Sequence, residues 1–137
     1  MGLILDTSIL IESERRKEGV EDILRRIRSS HGEIDLAIST VSVVELTHGI
    51  YRAKTDADRE RRRVFAESVF HDLIVQAVTL EVAQLAGRIE GEQAARGITI
   101  DFEDLVIGAT ALHIGFGVAT INVRHFQCLP DLSVVAL

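Results

Sequence analysis

Gly2-Leu3-Ile4-Leu5-Asp6-Thr7-Ser8 is the stretch on which the fold is decided. A short apolar run followed by a Ser/Thr pair reads as a buried strand leading directly into a helix. In open α/β sheets, ligands and chemistry gather at the carboxyl ends of such strands. Asp6 stands at that end. By itself it reads as a helix cap, because an Asp side chain readily accepts an orphan backbone N–H. A chemical role requires partners elsewhere in the chain.

The same strand-then-helix grammar continues outward. Helical spacing carries the chain from Thr7 to about Lys17 and again through Val20, Ile23, Leu24 and Ile27. Ile34-Asp35-Leu36-Ala37-Ile38 alternates as a strand, and Ser39 or Thr40 caps a helix reaching about Lys54. Asp56 or Asp58 opens a basic helix. Leu73-Ile74-Val75 is a short strand, and Thr79 caps a helix that ends at Arg96 with Gly97 as its stop. A further helix spans 102–114 before Gly115, followed by strands at 117–120 and 132–135. Apolar strands separated by helices predict a three-layer α/β/α domain, with a central, mainly parallel sheet of four to five strands. Residues 1–137 form one domain, long enough to bury roughly two thirds of its unfolded surface.

Composition narrows the function classes. Apolar residues make up 47% and charged residues 26%, as in ordinary globular proteins and unlike disordered ones. Cys128 is the sole cysteine, which excludes an intramolecular disulfide and a multi-cysteine zinc site and fits a reducing cytoplasm. No basic segment precedes the first apolar run, so no signal peptide is expected. No uncharged run approaches the roughly 18 residues of a membrane helix. The formal charge of −6 disfavours a polyanionic partner on its face. That inference is overridden if the acids hold divalent cations and local basic patches do the binding.

Two further carboxylates occupy unusual places. Glu45 interrupts the apolar helix Val41-Ser42-Val43-Val44-Glu45-Leu46 and shares a face with Val41 and His48. Asp104 sits in the first turn of a helix whose later residues are almost all apolar or small, the pattern of a helix buried on most sides. Asp104, Gly108 and Ala111 share a face, so neighbouring backbone is expected to approach closely there. Each acid has an ordinary explanation, as a solvated helix residue or as a charge favoured by the helix dipole. Together, with no Lys or Arg beside them in their helices, they predict an oxygen-only site for Mg²⁺ or Mn²⁺. Thr120 and Asn122 add a hydroxyl and an amide at another strand end, at the level of Asp6.

Leu3-Ile4-Leu5-Asp6-Thr7-Ser8 and the run from Ser39 to Gly49 around Glu45 resemble the first two acidic motifs of PIN-domain ribonucleases. Ile100 with Asp104-Leu105-Val106-Ile107-Gly108-Ala109 resembles the third, and Thr120-Ile121-Asn122-Val123-Arg124-His125-Phe126 the fourth. Order, spacing and length are similar to the VapC toxins of toxin–antitoxin pairs. The resemblance implies a Mg²⁺- or Mn²⁺-dependent endoribonuclease with Asp6, Glu45 and Asp104 as metal-holding acids and Thr120 and Asn122 completing the site. It further implies transfer or ribosomal RNA as substrate, a homodimer and a VapB-type antitoxin. Asn122 departs from the pattern by standing where many such nucleases carry another Asp, and so weakens the case for a second metal.

RNA must reach an acidic pocket past basic groups. Arg59, Arg61, Arg62 and Arg63 are the densest cluster, with Arg61 and Arg62 as candidate phosphate contacts, although interleaved glutamates also fit a solvated helix face. Arg124 and His125 lie beside the fourth motif. His113 and His48 have no partners at zinc spacing. Other strand-end acid enzymes fit less well. A haloacid-dehalogenase-like phosphatase needs an acid where Ser8 stands, and a receiver domain needs a late lysine, whereas Lys17 and Lys54 are early. Gly115-Phe116-Gly117 precedes a strand instead of following one, so a dinucleotide fingerprint fails. The remaining alternative is a PIN-like module that binds RNA or antitoxin without cleaving.

Overall fold

In the computed structural model, which describes residues 1–137, β1 (Gly2–Leu5) is buried along its whole length. It pairs in parallel with β2 (Asp35–Ser39), Leu3 opposite Leu36, and on its other side with β4 (Gly117–Thr120), Ile4 opposite Val118. β3 (Ile74–Gln76) lies beyond β2 and β5 (Val134–Ala136) beyond β4, giving a five-stranded parallel sheet in the order β3-β2-β1-β4-β5. The opening run has no polar face because strands flank it and helices cover both sides.

Successive residues of β1 point to opposite faces and feed two separate cores. Leu3 and Leu5 pack with α1 (Thr7–Arg15), α2 (Val20–His31), α3 (Thr40–Tyr51) and α4 (Asp56–Asp72), through residues such as Leu10, Ile27, Leu46 and Val69. Ile4 packs on the other face with α5 (Leu80–Ala94), α6 (Phe102–Ile114) and α7 (Val123–Gln127), through Val82, Ile107 and Phe126. The three expected layers are therefore present. Gly2 allows the tight start of β1, since a Cβ there would lie 2.5 Å from the Asp35 carbonyl oxygen and 2.6 Å from the Phe116 ring. Gly115 ends α6 in the left-handed region, as its place in the sequence predicts.

The differences from expectation are local. The strand ends shift by a residue or two, and α5 stops at Ala94, with Gly97 closing the turn that follows at φ +77°. α7 was not foreseen. Its five residues are too few to show periodicity, and Phe126, fully buried, anchors it in the core. α6 is buried from Asp104 to Ala111. What closes over Gly108 is the Leu129 side chain rather than neighbouring backbone. No helix is long and apolar enough to cross a membrane.

Candidate active site

The chain runs outward through β1, β2 and β3, then returns to the opposite side of β1 for β4 and β5. The order therefore reverses between β1 and β4, and the crevice at the ends of these two strands is where open α/β sheets place ligands. Asp6 ends β1 there and Thr120 ends β4. The Asp6 backbone N–H donates to the Ala119 carbonyl at 2.9 Å, tying the two strand ends together.

Asp6 is not a side-chain cap. It occupies the N-cap position of α1, yet its carboxylate accepts no backbone N–H. Oδ2 instead accepts from Ser8 Oγ at 2.6 Å and from Thr120 Oγ1 at 2.7 Å. Thr120 Oγ1 in turn accepts the Asn122 backbone N–H at 2.9 Å. The Thr120 hydroxyl is thus committed to orienting Asp6 and to starting α7, while the Asn122 side chain lies in an exposed residue. With both donors on Oδ2, Oδ1 is the Asp6 oxygen left for a ligand.

Asp104 and Glu45 come to the same crevice, and they bring a residue the sequence reading passed over. Glu103 accepts from Thr7 Oγ1 at 2.9 Å, and the Ser42 hydroxyl lies 2.7 Å from the same Thr7 oxygen. Thr7 has one hydroxyl proton and gives it to Glu103, so Ser42 donates to Thr7. Burial pushes the Glu103 carboxyl up to about 8, helped by its hydrogen bond to the Glu45 carboxylate and by the charges of Glu45 and Asp6, with Thr7 opposing. Burial also pushes Asp104 up to about 6, with the charges of Asp6 and Asp101 adding to it and His125 pulling it back. His125 Nδ1 stands 3.3 Å from Asp104 Oδ2. The only sequence-level signal for Glu103 was its presence beside Asp104 in a first turn, where acids are ordinary.

Acidic groups crowd together here, and no Lys or Arg forms a salt bridge with any of the four; the His125 ring on Asp104 is the one contact from a basic residue. Such uncompensated charge, an oxygen-only donor set and the free Asp6 Oδ1 suit a hard divalent cation. In the present arrangement no three acidic or histidine side chains are close enough together to enclose an ion. The fit therefore rests on donor chemistry and charge. Asp6, Glu45 and Asp104 are the expected holders, with Glu103 beside them.

The basic residues divide. Arg61 pairs with Glu14 at 3.1 Å and Asp58 at 2.9 Å, Arg63 pairs with Glu60 and Glu67, and Arg59 faces Asp56 at 3.7 Å. Most of that helix face is therefore internally neutralised. Arg62 differs, donating from one terminal nitrogen to the Gly49 carbonyl at 2.6 Å while its buried Nε finds no partner. Arg124 is exposed next to the centre, whereas His125 is drawn onto Asp104.

A parallel sheet with this strand order and acids clustered at its switch point define an α/β domain with an acidic centre. The PIN domain family model matches residues 3–127, and the chain belongs to that family. It is 31% identical over 137 residues to Ribonuclease VapC of Rickettsia bellii, covering 100% of this chain and 97% of that protein. It is 29% identical over 130 residues to Ribonuclease VapC19 of Mycobacterium tuberculosis, covering 95% and 96% of the two chains. Among solved structures, it resembles DNA-bound VapBC from Salmonella typhimurium with a TM-score of 0.84 and 25% identity, covering 99% of this chain and 98% of that one. The fold is likewise that of VapBC2 from Rickettsia felis bound to a promoter DNA fragment, with a TM-score of 0.83, 20% identity and coverage of 99% and 98%.

Proposed function

We propose that this protein is the toxin of a VapBC pair, an endoribonuclease that hydrolyses transfer or ribosomal RNA in the cytoplasm with Mg²⁺ or Mn²⁺ and is silenced by a VapB-type antitoxin. The observation that carries this reading is the gathering of Asp6, Glu45, Glu103 and Asp104 at the β1/β4 crevice with no Lys or Arg partner. Relatives named Ribonuclease VapC support it. A bound ion would supply Lewis acidity at the scissile phosphate and lower the pKa of the attacking water.

The protein's own groups do the rest. Asp6, Glu45 and Asp104 would hold the ion, with Ser8 and Thr120 fixing the Asp6 carboxylate so that Oδ1 remains to bind. The Ser42–Thr7 pair holds Glu103 at the same centre, beside Glu45. His125 steadies Asp104, and exposed Arg124 is placed to meet a phosphate. Exposed Val44 and Tyr51, seven residues apart on one face of α3, support a homodimer through that face.

Mapping the ends of RNAs cleaved after induction tests the reading. Attack by water leaves 5′-phosphate and 3′-hydroxyl ends, and Asp6→Asn is expected to reduce cleavage by at least about a hundredfold, the most that loss of a ligand's support typically costs. Products carrying a 2′,3′-cyclic phosphate would rule out the water mechanism. Undiminished cleavage by Asp6→Asn would rule out the acidic centre. If neither protein cleaves RNA while both bind it, the domain is a binding module.

A further inference from the structure

Between α1, α3 and α4 lies a cavity of about 200 Å³ that has Glu45 in its wall. Glu45 belongs both to this cavity's wall and to the acidic centre, so the two adjoin at that residue. We propose that this pocket is a subsite for a single unpaired nucleotide of the substrate RNA next to the cleaved bond, its base on the apolar floor and its phosphate on Arg62 and Arg15. This proposal rests on the ribonuclease reading above and specifies where the substrate is gripped.

Charge, shape and chemistry agree. Arg62 spends one N–H on the Gly49 carbonyl, and its buried Nε has no acceptor in the protein. A guanidinium carries five N–H donors in a fixed fork suited to phosphate. Arg61 takes the Glu14 carboxylate, which neutralises the pocket's other acid, while Arg15 in the same wall is exposed. Once Glu45 is committed to the acidic centre, the remaining charge of the pocket is positive. Ile11, Leu46 and Phe65 give it an apolar floor. Its volume falls below the ~300–1,000 Å³ of pockets that enclose a whole small ligand, which suits one base and not a folded segment. Proteins read RNA mainly through unpaired bases laid on apolar or aromatic surfaces, with the backbone held by cations.

Gly49 supplies the means to test this. It lines the cavity, and a Cβ added there meets nothing within 4 Å, so Gly49→Leu brings a larger side chain to the pocket wall from a position with room for its first carbon. Gly49→Leu and Arg62→Met are made in an Asp6→Asn background, and binding of fluorescein-labelled oligoadenylate and oligouridylate is titrated over a range of salt. The same substitutions in the otherwise wild-type chain give KM and kcat on cellular RNA. Both are expected to weaken binding about tenfold, the worth of one base contact. The effect should fall on KM, with kcat within about a factor of three. Arg62→Met should also lower the salt slope by about one, and Arg62→Lys should restore it. Binding equal to that of the Asp6→Asn parent in both variants overturns the proposal. So does unchanged RNA binding combined with lost affinity for a synthetic acidic peptide, which would make the pocket a protein-docking site. If the otherwise wild-type chain does not cleave RNA, the ribonuclease reading fails, while the binding titrations still decide the pocket.

Discussion

Thr120 illustrates how much of the site depends on residues that never touch a ligand. Its hydroxyl donates to Asp6 and accepts from the Asn122 backbone. Thr120→Val removes one of two donors from the Asp6 carboxylate and leaves a backbone N–H without its partner. Ion affinity and cleavage are expected to fall about 10–100-fold, as for other groups that orient a metal ligand. Stability should fall by about 1–3 kcal/mol, and Thr120→Ser should recover both. Isothermal titration with Mn²⁺ and urea unfolding check the two effects separately. The acids themselves were legible in the sequence: Asp6 ends an apolar run, Glu45 interrupts one, and Asp104 heads one. Their supports were not. Thr7 reaches Glu103 across 96 residues and Thr120 reaches Asp6 across 114, and only the folded sheet closes those distances. The arginine run left two readings open in sequence, and the fold divides it: Arg61 and Arg63 are paired with nearby glutamates and an aspartate, whereas Arg62 is not.

At the scale of elements, α6 carries a conflict between burial and charge. Its middle is packed on all sides, so Ile107→Ala should destabilise the protein by about 2–5 kcal/mol, measured by chemical denaturation. Its first turn presents Glu103 and Asp104, whose carboxyls sit at about 8 and about 6 in the ion-free protein. Both hold their protons more tightly folded than unfolded, so folding takes up protons between the ordinary value of 4.5 for Glu103 and about 8. Stability is then greatest below that window and falls as pH rises through it. On the proposed function, Mg²⁺ or Mn²⁺ would favour the ionised forms and is expected to raise Tm most at the alkaline end. Scanning calorimetry with EDTA and with Mn²⁺ checks this, and a flat Tm in EDTA across the window contradicts it. The long helices and most strands could be read from periodicity and from stop signals such as Gly115. α7 could not, because its existence depends on Phe126 finding a place in a core built by α5 and α6.

For the whole molecule, the apolar residues left on the surface predict its assembly. Val44 is 67% exposed and Tyr51 75% exposed on α3. If this face of α3 joins two copies, as proposed above, Val44→Asp with Tyr51→Asp should lower the mass in light scattering to that of one chain while leaving the circular dichroism spectrum unchanged. A species of unchanged mass would rule out this face of α3 as a contact between copies. The sheet order has a consequence in time. β1 is the first of the five strands to be made and β4 the fourth, yet they are neighbours, so the crevice joins segments more than a hundred residues apart. A chain synthesised only as far as Gly115 already contains Asp6, Glu45, Glu103 and Asp104 but has neither β4 nor Thr120. Its central strand has an open edge, and its first acid lacks the hydroxyl that holds it. Translation must therefore pass β4 before the centre can be completed, although all four of its acids have been made by then.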